Sequence, residues 1–251
     1  AAKINQNLIL PLAKAGDENP AVLENGVVRT PPGYKEAYQK YIEDGWTSLS
    51  CDPKYGGQGM PKTVSAFFDE MLSSASLSFK LYSELSIGAY NCINRHATEE
   101  VKNKYLPKMV EGKWSGTMCL TEPVCGTDLG LLKTKAEKQT DGTYKLSGQK
   151  IFITSGDQDL TENIIHLVIA RATDSPAGTN GISLILVLIS AAYTWNQYFT
   201  YGPSSIGGIT IAGSLIGLVF ALVTIFKKTW APITAPPVSY THLRAHETLP
   251  N

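Results

Sequence analysis

The chain has 251 residues, of which 43% are hydrophobic and 18% charged, so it suits one large domain or two small ones and is not predicted to be disordered. Its 22 basic residues balance 22 acidic ones, which argues against nucleic acid as a partner. The four cysteines form no C-x-x-C pair, which disfavours a metal site or a disulfide framework and favours reduced thiols in the cytoplasm.

The first part of the chain is predicted to be helical. Apolar residues recur at spacings of three and four from Tyr34, which predicts an amphipathic helix that ends at Gly45. Residues 52–61, DPKYGGQGMP, are predicted to be a loop, without the strand and glycine spacing of a phosphate-binding turn. Small and apolar residues in 63–96 indicate two packed helices.

A further helix is expected directly after these. Thr98 is placed as its N-cap and Gly112 as its end, and its buried face is expected to carry Val101, Tyr105, Leu106, Met109 and Val110. Residues 1–113 are therefore predicted to form a partial helical bundle.

After Trp114 the pattern changes from helix to strand. Asp141-Gly142 indicates a turn between KTKAEKQ and TYKLSGQ, and three further runs rich in β-formers follow: KIFITS, IIHLVIAR and GISLILV. Helices followed by strands predict an α+β fold, with a small antiparallel barrel or sandwich in residues 114–187.

Composition changes again near the end of the chain. No Asp, Glu, Lys or Arg occurs from Ser183 to Phe226, and residues 206–226 form an apolar run long enough for a helix that crosses a bilayer. Lys227 and Lys228 close that run as interfacial anchors. Residues 188–236 are therefore predicted to be a hydrophobic, transmembrane-like segment.

The stretch MCLTEPVCGTDLG, residues 118–130, combines turn-forming proline and glycine with small polar side chains. Such a segment leaves backbone N–H groups without ladder partners, and these groups are able to bind a flat heteroaromatic ring. A turn without ligand remains the alternative. Glu122 and Asp128 are expected to pin the loop or to cap the next turn.

Three motifs resemble the acyl-CoA dehydrogenase family over about residues 10–187: GTMCLTEPVCGTD, LSGQKIFITSGDQDLTENIIHLVIAR and YGGQGMP. The branch that includes the methylthiopropanoyl-CoA dehydrogenases is the most similar. The resemblance implies FAD as cofactor and a barrel as the middle domain. It assigns cofactor binding to Met118, Cys119, Leu120, Thr121, Gly126, Thr127, Phe152, Ile153 and Thr154.

The resemblance also implies individual roles. Backbone N–H groups and Thr121 bind the pyrimidine side of the flavin, Phe152 covers the ring, and Thr154 lies near its N5 edge. Thr127 contacts the acyl-CoA substrate. The expected reaction is α,β-dehydrogenation of an acyl-CoA thioester, with electrons passed to an electron-transfer flavoprotein by a cytoplasmic homo-oligomer.

No catalytic base is assigned, because the family's usual glutamate belongs to a C-terminal helical bundle whose motif is not found here. Glu122 and Glu162 are given structural roles instead. No metal site is predicted. The chain itself is therefore expected to be an inactive fragment of such an enzyme.

Beyond residue 187 the resemblance changes. Residues 188–236 resemble a Bax-inhibitor-like membrane protein, and the tail 237–251 resembles a translated sequencing adapter. These features suggest a chimera with a disordered or artefactual tail. The alternative is a chimeric integral membrane protein that carries a vestigial flavin- or CoA-binding module, with membrane contact only through residues 206–226.

Overall fold

The computed structural model describes residues 1–190, with side chains through residue 188. The predicted membrane helix at 206–226 and the tail at 237–251 lie outside the described residues, as does most of the segment 188–236. Within residues 1–190, no helix combines the length and the apolar character needed to cross a bilayer.

The helices occupy the first part of the described chain, as predicted. They are α1 (Ala2–Ile4), a π-helical turn (Asn5–Ile9), α2 (Leu10–Glu18), α3 (Tyr34–Glu43), α4 (Lys62–Ala75), α5 (Leu77–His96) and α6 (Glu99–Val110). Helix α1, the π-helical turn, α2 and the short hairpin of β1 (Val22–Glu24) and β2 (Val27–Arg29) were not predicted from the sequence. The helices predicted from residues 34, 63 and 98 onward are confirmed.

Helix α6 shows how local sequence sets the element ends. The Thr98 hydroxyl accepts a hydrogen bond from the Val101 N–H at 3.4 Å, which satisfies an otherwise unpaired donor of the first turn. Gly112 follows the helix with φ +72°, a backbone conformation that glycine adopts without strain. The predicted cap, end and buried face are all confirmed.

Two apolar clusters hold the helices in place. The first joins the N-terminal helices to α3, α4 and α5, where Tyr34 and Tyr41 pack edge-on against Phe79. The second packs α5 and α6 against the sheet, with Tyr105 and Leu167 among its members. The helical part and the sheet therefore share a core.

Within the described part of the chain, the main sheet has five strands: β3 (Trp114–Cys119), β4 (Lys135–Lys138), β5 (Tyr144–Ser147), β6 (Asn163–Ala172) and β7 (Ile182–Ser190). Strand β6 lies at the centre and is almost wholly buried, as its nearly continuous apolar sequence requires. Strand β7 pairs antiparallel along one edge of β6, while β3 and β4 pair parallel with its other edge.

The predicted antiparallel pairing is therefore only partly right. Strands β4 and β5 form the expected hairpin around Asp141 and Gly142, but the pairs of β3 and β4 with β6 are parallel. Long connections leave strand direction open, because only short turns force neighbouring strands to be antiparallel. Within residues 1–190 the sheet is open and mixed, not a closed antiparallel barrel.

Three strand assignments also differ from the prediction. KIFITS, residues 150–155, is a loop and not a strand, because Phe152 and Ser155 adopt φ of +56° and +54°. Strand β3 was not identified as an element, although the change of pattern after Trp114 marks its start. β7 also extends to Ser190, past the predicted domain end at 187.

A close approach between α5 and β3 depends on Gly116. A Cβ atom at Gly116 would lie 2.4 Å from the Ala89 Cβ, whereas one at Gly88, on the same helix, meets nothing within 4 Å. Gly116→Ala is therefore expected to lower the free energy of unfolding by about 1–3 kcal/mol through overpacking. Gly88→Ala is expected to raise it by up to about 1 kcal/mol, because glycine inside a helix is unfavourable. Urea denaturation of both variants measures the difference, and equal stabilities would contradict the close approach.

Candidate functional site

The last two residues of β3 and the segment that follows it, residues 118–128, are together named the TEP loop. Its centre is a tight turn in which the Glu122 N–H donates to the Cys125 carbonyl at 2.8 Å and the Cys125 N–H donates back at 3.1 Å. The Asp128 carboxylate accepts from the Gly130 N–H at 2.9 Å, which confirms its predicted capping role. The loop is thus irregular but well defined.

Several backbone amides of this loop have no hydrogen-bond partner within residues 1–190. Among the described residues, no acceptor forms a hydrogen bond with the N–H of Leu120, Thr121, Gly126 or Thr127. Gly126 and Thr127 are exposed and Thr121 is half-buried, so a ligand on this surface has access to these donors. The structure therefore provides the free donors that the sequence predicted.

Glu122 holds the TEP loop from inside. Its carboxylate accepts from the N–H groups of Lys133 at 2.7 Å and Thr134 at 3.0 Å, and it forms a 2.8 Å ion pair with Lys150. Burial alone would raise the pKa of Glu122, but hydrogen bonds from Lys150 and from residues 133 and 134 outweigh it and hold the pKa below its usual value. Glu122 is therefore an ionised structural residue. Glu162, the other glutamate considered, is exposed.

A second irregular segment, residues 150–161, lies beside the first and is named the Phe152 loop. The Phe152 side chain is 69% exposed, and its backbone lies in the left-handed region. Both features are unfavourable for an aromatic residue. Ile153 points the other way into the sheet's apolar cluster, and Thr154 is exposed again. Strained backbone of this kind is concentrated at functional sites.

Direct contacts bring the two predicted motifs together. The Ile151 N–H donates to the Thr121 carbonyl at 3.0 Å, and Lys150 Nζ donates to the Leu120 carbonyl at 3.0 Å. The exposed side chains of Phe152 and Met118 therefore belong to segments that meet at the end of β3.

Not every predicted residue offers its side chain. Cys119 and Ile153 are buried in the same cluster, so their side chains are not available to a ligand on the outer surface. Leu120 is half-buried and packs against the small cluster of Cys125, Leu132 and Ile169. Side chains on the outer surface are those of Met118, Thr127, Phe152 and Thr154.

A buried histidine of β6 lies beside the buried side chains of Thr117 and Cys119 in β3. His166 Nδ1 is 2.6 Å from the Thr117 hydroxyl and 3.6 Å from Cys119 Sγ. Burial lowers the pKa of His166 to about 4 and raises that of Cys119 to about 11, so both side chains are neutral at pH 7. Nε2 of His166 has no hydrogen-bond partner among the described residues.

The side chains that anchor the Phe152 loop were not predicted from the sequence. Lys150 anchors the start of the loop through its ion pair with Glu122. At the other end of the loop, the Gln158 side chain donates a hydrogen bond to the Ser115 hydroxyl. The Asp159 carboxylate accepts from both the N–H and the hydroxyl of Thr30. Nothing in the sequence KIFITS indicates that its lysine, Lys150, is buried. Its acidic partner lies 28 residues away, so their pairing is not visible in the sequence.

A cleft of about 580 Å³ was also missed. It lies between α5 and the sheet, and its lining includes Glu84, Leu85, Gly88, Met118, Leu167 and Leu184. Met118 thus belongs both to the TEP loop and to the wall of this cleft. The glycine inside α5 was the available signal, since it leaves one side of that helix open.

Comparison with known proteins agrees with these features. A model of the acyl-CoA dehydrogenase N-terminal domain matches residues 15–113, and a model of the family's middle domain matches residues 117–200. The second match passes the boundary predicted at residue 187. The chain therefore belongs to the acyl-CoA dehydrogenase family.

Individual relatives point to the same family. The chain is 48% identical over 180 residues to 3-methylmercaptopropionyl-CoA dehydrogenase of Ruegeria pomeroyi, a match that covers 72% of this chain and 31% of the relative. It is 41% identical over 189 residues to a butyryl-CoA dehydrogenase of Syntrophomonas wolfei, covering 74% of this chain and 31% of the relative. The predicted resemblance to the methylthiopropanoyl-CoA branch is confirmed by the first match.

A solved structure shares the fold. Butyryl-CoA dehydrogenase from Megasphaera elsdenii superposes with a TM-score of 0.59 at 28% identity, covering 82% of this chain and 54% of that one. The chain spans about a third of the length of the two curated relatives and about half of this structure.

Proposed function

We propose that the TEP loop and the Phe152 loop together hold FAD, as part of an enzyme that dehydrogenates acyl-CoA thioesters at the α and β carbons. The observation that carries the proposal is the meeting of free backbone donors with an exposed, strained aromatic side chain at the end of β3. A flat ring that bears carbonyl oxygens suits both groups. The residues present therefore fit the cofactor that family membership implies.

The chain's own groups act by binding and positioning. The N–H groups of Leu120 and Thr121, with the Thr121 hydroxyl, donate hydrogen bonds to ring oxygens, and their fixed orientation favours negative charge there. Phe152 covers the ring and excludes water. Gly126 and Thr127 provide donors at the far side of the loop, where Thr127 is proposed to contact the acyl-CoA. When bound, the flavin supplies the hydride acceptor.

The cleft beside Met118 is the proposed location of the acyl group. Its walls are largely apolar, and it opens next to the cofactor surface. The 48% identity to a 3-methylmercaptopropionyl-CoA dehydrogenase favours a short, sulfur-containing or linear acyl chain as the substrate class. Transfer of electrons to an electron-transfer flavoprotein, assembly as a homo-oligomer and a cytoplasmic location are parts of the same proposal.

We propose further that this chain binds flavin without turnover. Within residues 1–190, Glu122 is the buried acidic side chain of the TEP loop, and its oxygens are engaged by Lys150 and two backbone N–H groups. Glu84 lines the cleft but is ion-paired with Lys80 at 3.0 Å. Neither side chain is proposed as the base.

The test uses the purified full chain. FAD is titrated while the flavin absorbance and fluorescence are followed, and butyryl-CoA or 3-methylthiopropanoyl-CoA is then added without oxygen. The expected result is saturable FAD binding with no bleaching by either substrate. Absence of FAD binding would refute the proposed cofactor site. Bleaching would refute the lack of turnover, and its loss in Glu84→Gln would then identify Glu84 as the base.

A further inference from the structure

The two halves of the proposed flavin surface are joined by a buried ion pair. Lys150 Nζ and Glu122 Oε1 are 2.8 Å apart, and their side chains are only 1% and 2% exposed. The ion pairs on the helices, such as Lys40 with Asp44, are far more exposed. Only a well-satisfied pair tolerates such burial, since both charges lose their hydration.

The hydrogen bonds around the pair reach into three segments. Lys150 donates to Glu122 and to the Leu120 carbonyl, both in the TEP loop. Glu122 also accepts from the backbone N–H groups of Lys133 and Thr134, which precede β4. The pair therefore connects the TEP loop, the start of β4 and the Phe152 loop at one point.

Stability alone does not explain a buried ion pair. Apolar side chains of similar volume often replace such a pair with equal or greater stability, whereas removal of one partner leaves an uncompensated charge. A buried ion pair is well suited to fix the relative placement of the segments that it joins, because its hydrogen bonds are short and directional.

The ion pair of Glu122 and Lys150 lies close to the proposed flavin surface. Glu122 is adjacent to Thr121, whose carbonyl accepts from the Ile151 N–H at 3.0 Å, and Phe152 follows directly. A shift of the Lys150 side chain would therefore displace the Phe152 loop relative to the free donors at Leu120 and Thr121.

We propose that Glu122 and Lys150 are positioning residues that fix the TEP loop and the Phe152 loop in the relative placement that flavin binding requires. The inference rests on the proposed FAD site. It assigns the pair no contact with the cofactor; the pair acts through the backbone and through Phe152.

The experiment compares full-chain variants in two independent measurements. FAD affinity and the visible circular dichroism of the bound flavin measure whether the two loops still form the flavin-binding surface. The urea midpoint of the flavin-free protein measures the stability of the fold. The variants are Lys150→Met, the double variant Glu122→Gln/Lys150→Met, and Lys150→Arg, which keeps the charge. Lys40→Met removes an exposed 2.7 Å ion pair and serves as the matched control.

Lys150→Met is expected to lose both stability and FAD affinity. The double variant carries no unpaired charge, so its urea midpoint is expected to recover toward wild type. Its FAD affinity is expected to stay roughly tenfold to a hundredfold weak, as for outer-shell partners at other organised sites, with an altered flavin spectrum. Lys150→Arg is expected to retain part of the affinity, and Lys40→Met to resemble wild type.

Two results would overturn the positioning role while leaving the FAD site standing: recovery of affinity together with stability in the double variant, or wild-type affinity in all variants. If Lys150→Met does not fold, the double variant and Lys150→Arg still decide between these results. A wild-type chain that binds no FAD would instead overturn the proposed function and the inference with it.

Discussion

Replacement of Phe152 by glycine is expected to stabilise the flavin-free protein and to weaken FAD binding. Phe152 has φ +56°, a conformation that costs a non-glycine residue about 1–2 kcal/mol, and its exposed ring gains little from burial. The free energy of unfolding is therefore expected to rise by about 1 kcal/mol, since glycine removes the strain at some cost in chain entropy. FAD affinity is expected to fall roughly tenfold to a hundredfold, the usual effect of losing an aromatic stacking partner.

Phe67 provides the matched control. It is 64% exposed, close to the 69% of Phe152, but lies within helix α4 (Lys62–Ala75). Phe67→Gly is expected to destabilise the protein by about 0.3–0.5 kcal/mol through loss of helix propensity and to leave FAD affinity unchanged. Urea denaturation and flavin titration of both variants test this contrast. A destabilised Phe152→Gly with normal FAD affinity would show that Phe152 belongs to the fold and not to the site.

Acidification from about pH 6.5 to about pH 4 is expected to lower the free energy of unfolding by roughly 3 kcal/mol through His166. Burial holds the pKa of His166 at about 4 in the folded protein, whereas the unfolded chain takes up a proton near the ordinary value. Stability from the neutral histidine is therefore present above about pH 6.5 and is lost as the pH falls toward 4. Cys119 and Thr117, which contact the ring from β3, bear no charge in this range.

His166→Gln removes the titrating group, and His96→Gln alters an exposed histidine of α5 as the control. Unfolding free energies measured in urea across this pH range are expected to show a weaker decline for His166→Gln only. Glu122, with its lowered pKa, adds a separate loss at lower pH, as its carboxylate becomes protonated. An unchanged decline in His166→Gln would mean that the buried histidine is not the cause.

The helical part of the fold was largely predictable from local sequence. Cap and stop residues such as Thr98 and Gly112 act on the neighbouring turn, so their effects are visible within a few residues. The direction of β3 and β4 relative to β6 was not predictable in this way, because it depends on long connections and, for β3, on packing against α5. KIFITS was misassigned since its alternating pattern fits a strand, while the left-handed backbone of Phe152 depends on tertiary contacts.

In the candidate site, too, local features were predicted from the sequence and long-range contacts were not. The TEP loop was found through its glycines, its proline and its family motif, and the loop-pinning role of Glu122 was anticipated. The roles of the buried Lys150 and of Asp159 were not anticipated, because both side chains bind residues that are distant in sequence. The cleft along α5 was missed for a similar reason, since its walls come from separate elements.

Amide hydrogen exchange of the full chain with and without FAD tests the central claim most directly. The N–H groups of Leu120, Thr121, Gly126 and Thr127 have no protein acceptor among the described residues and are expected to exchange quickly in the free protein. FAD is expected to slow exchange at these positions and in residues 152–154, with little change in α1 to α4. Unchanged exchange in both loops at saturating FAD, or protection confined to the helices, would contradict a flavin site at the end of β3.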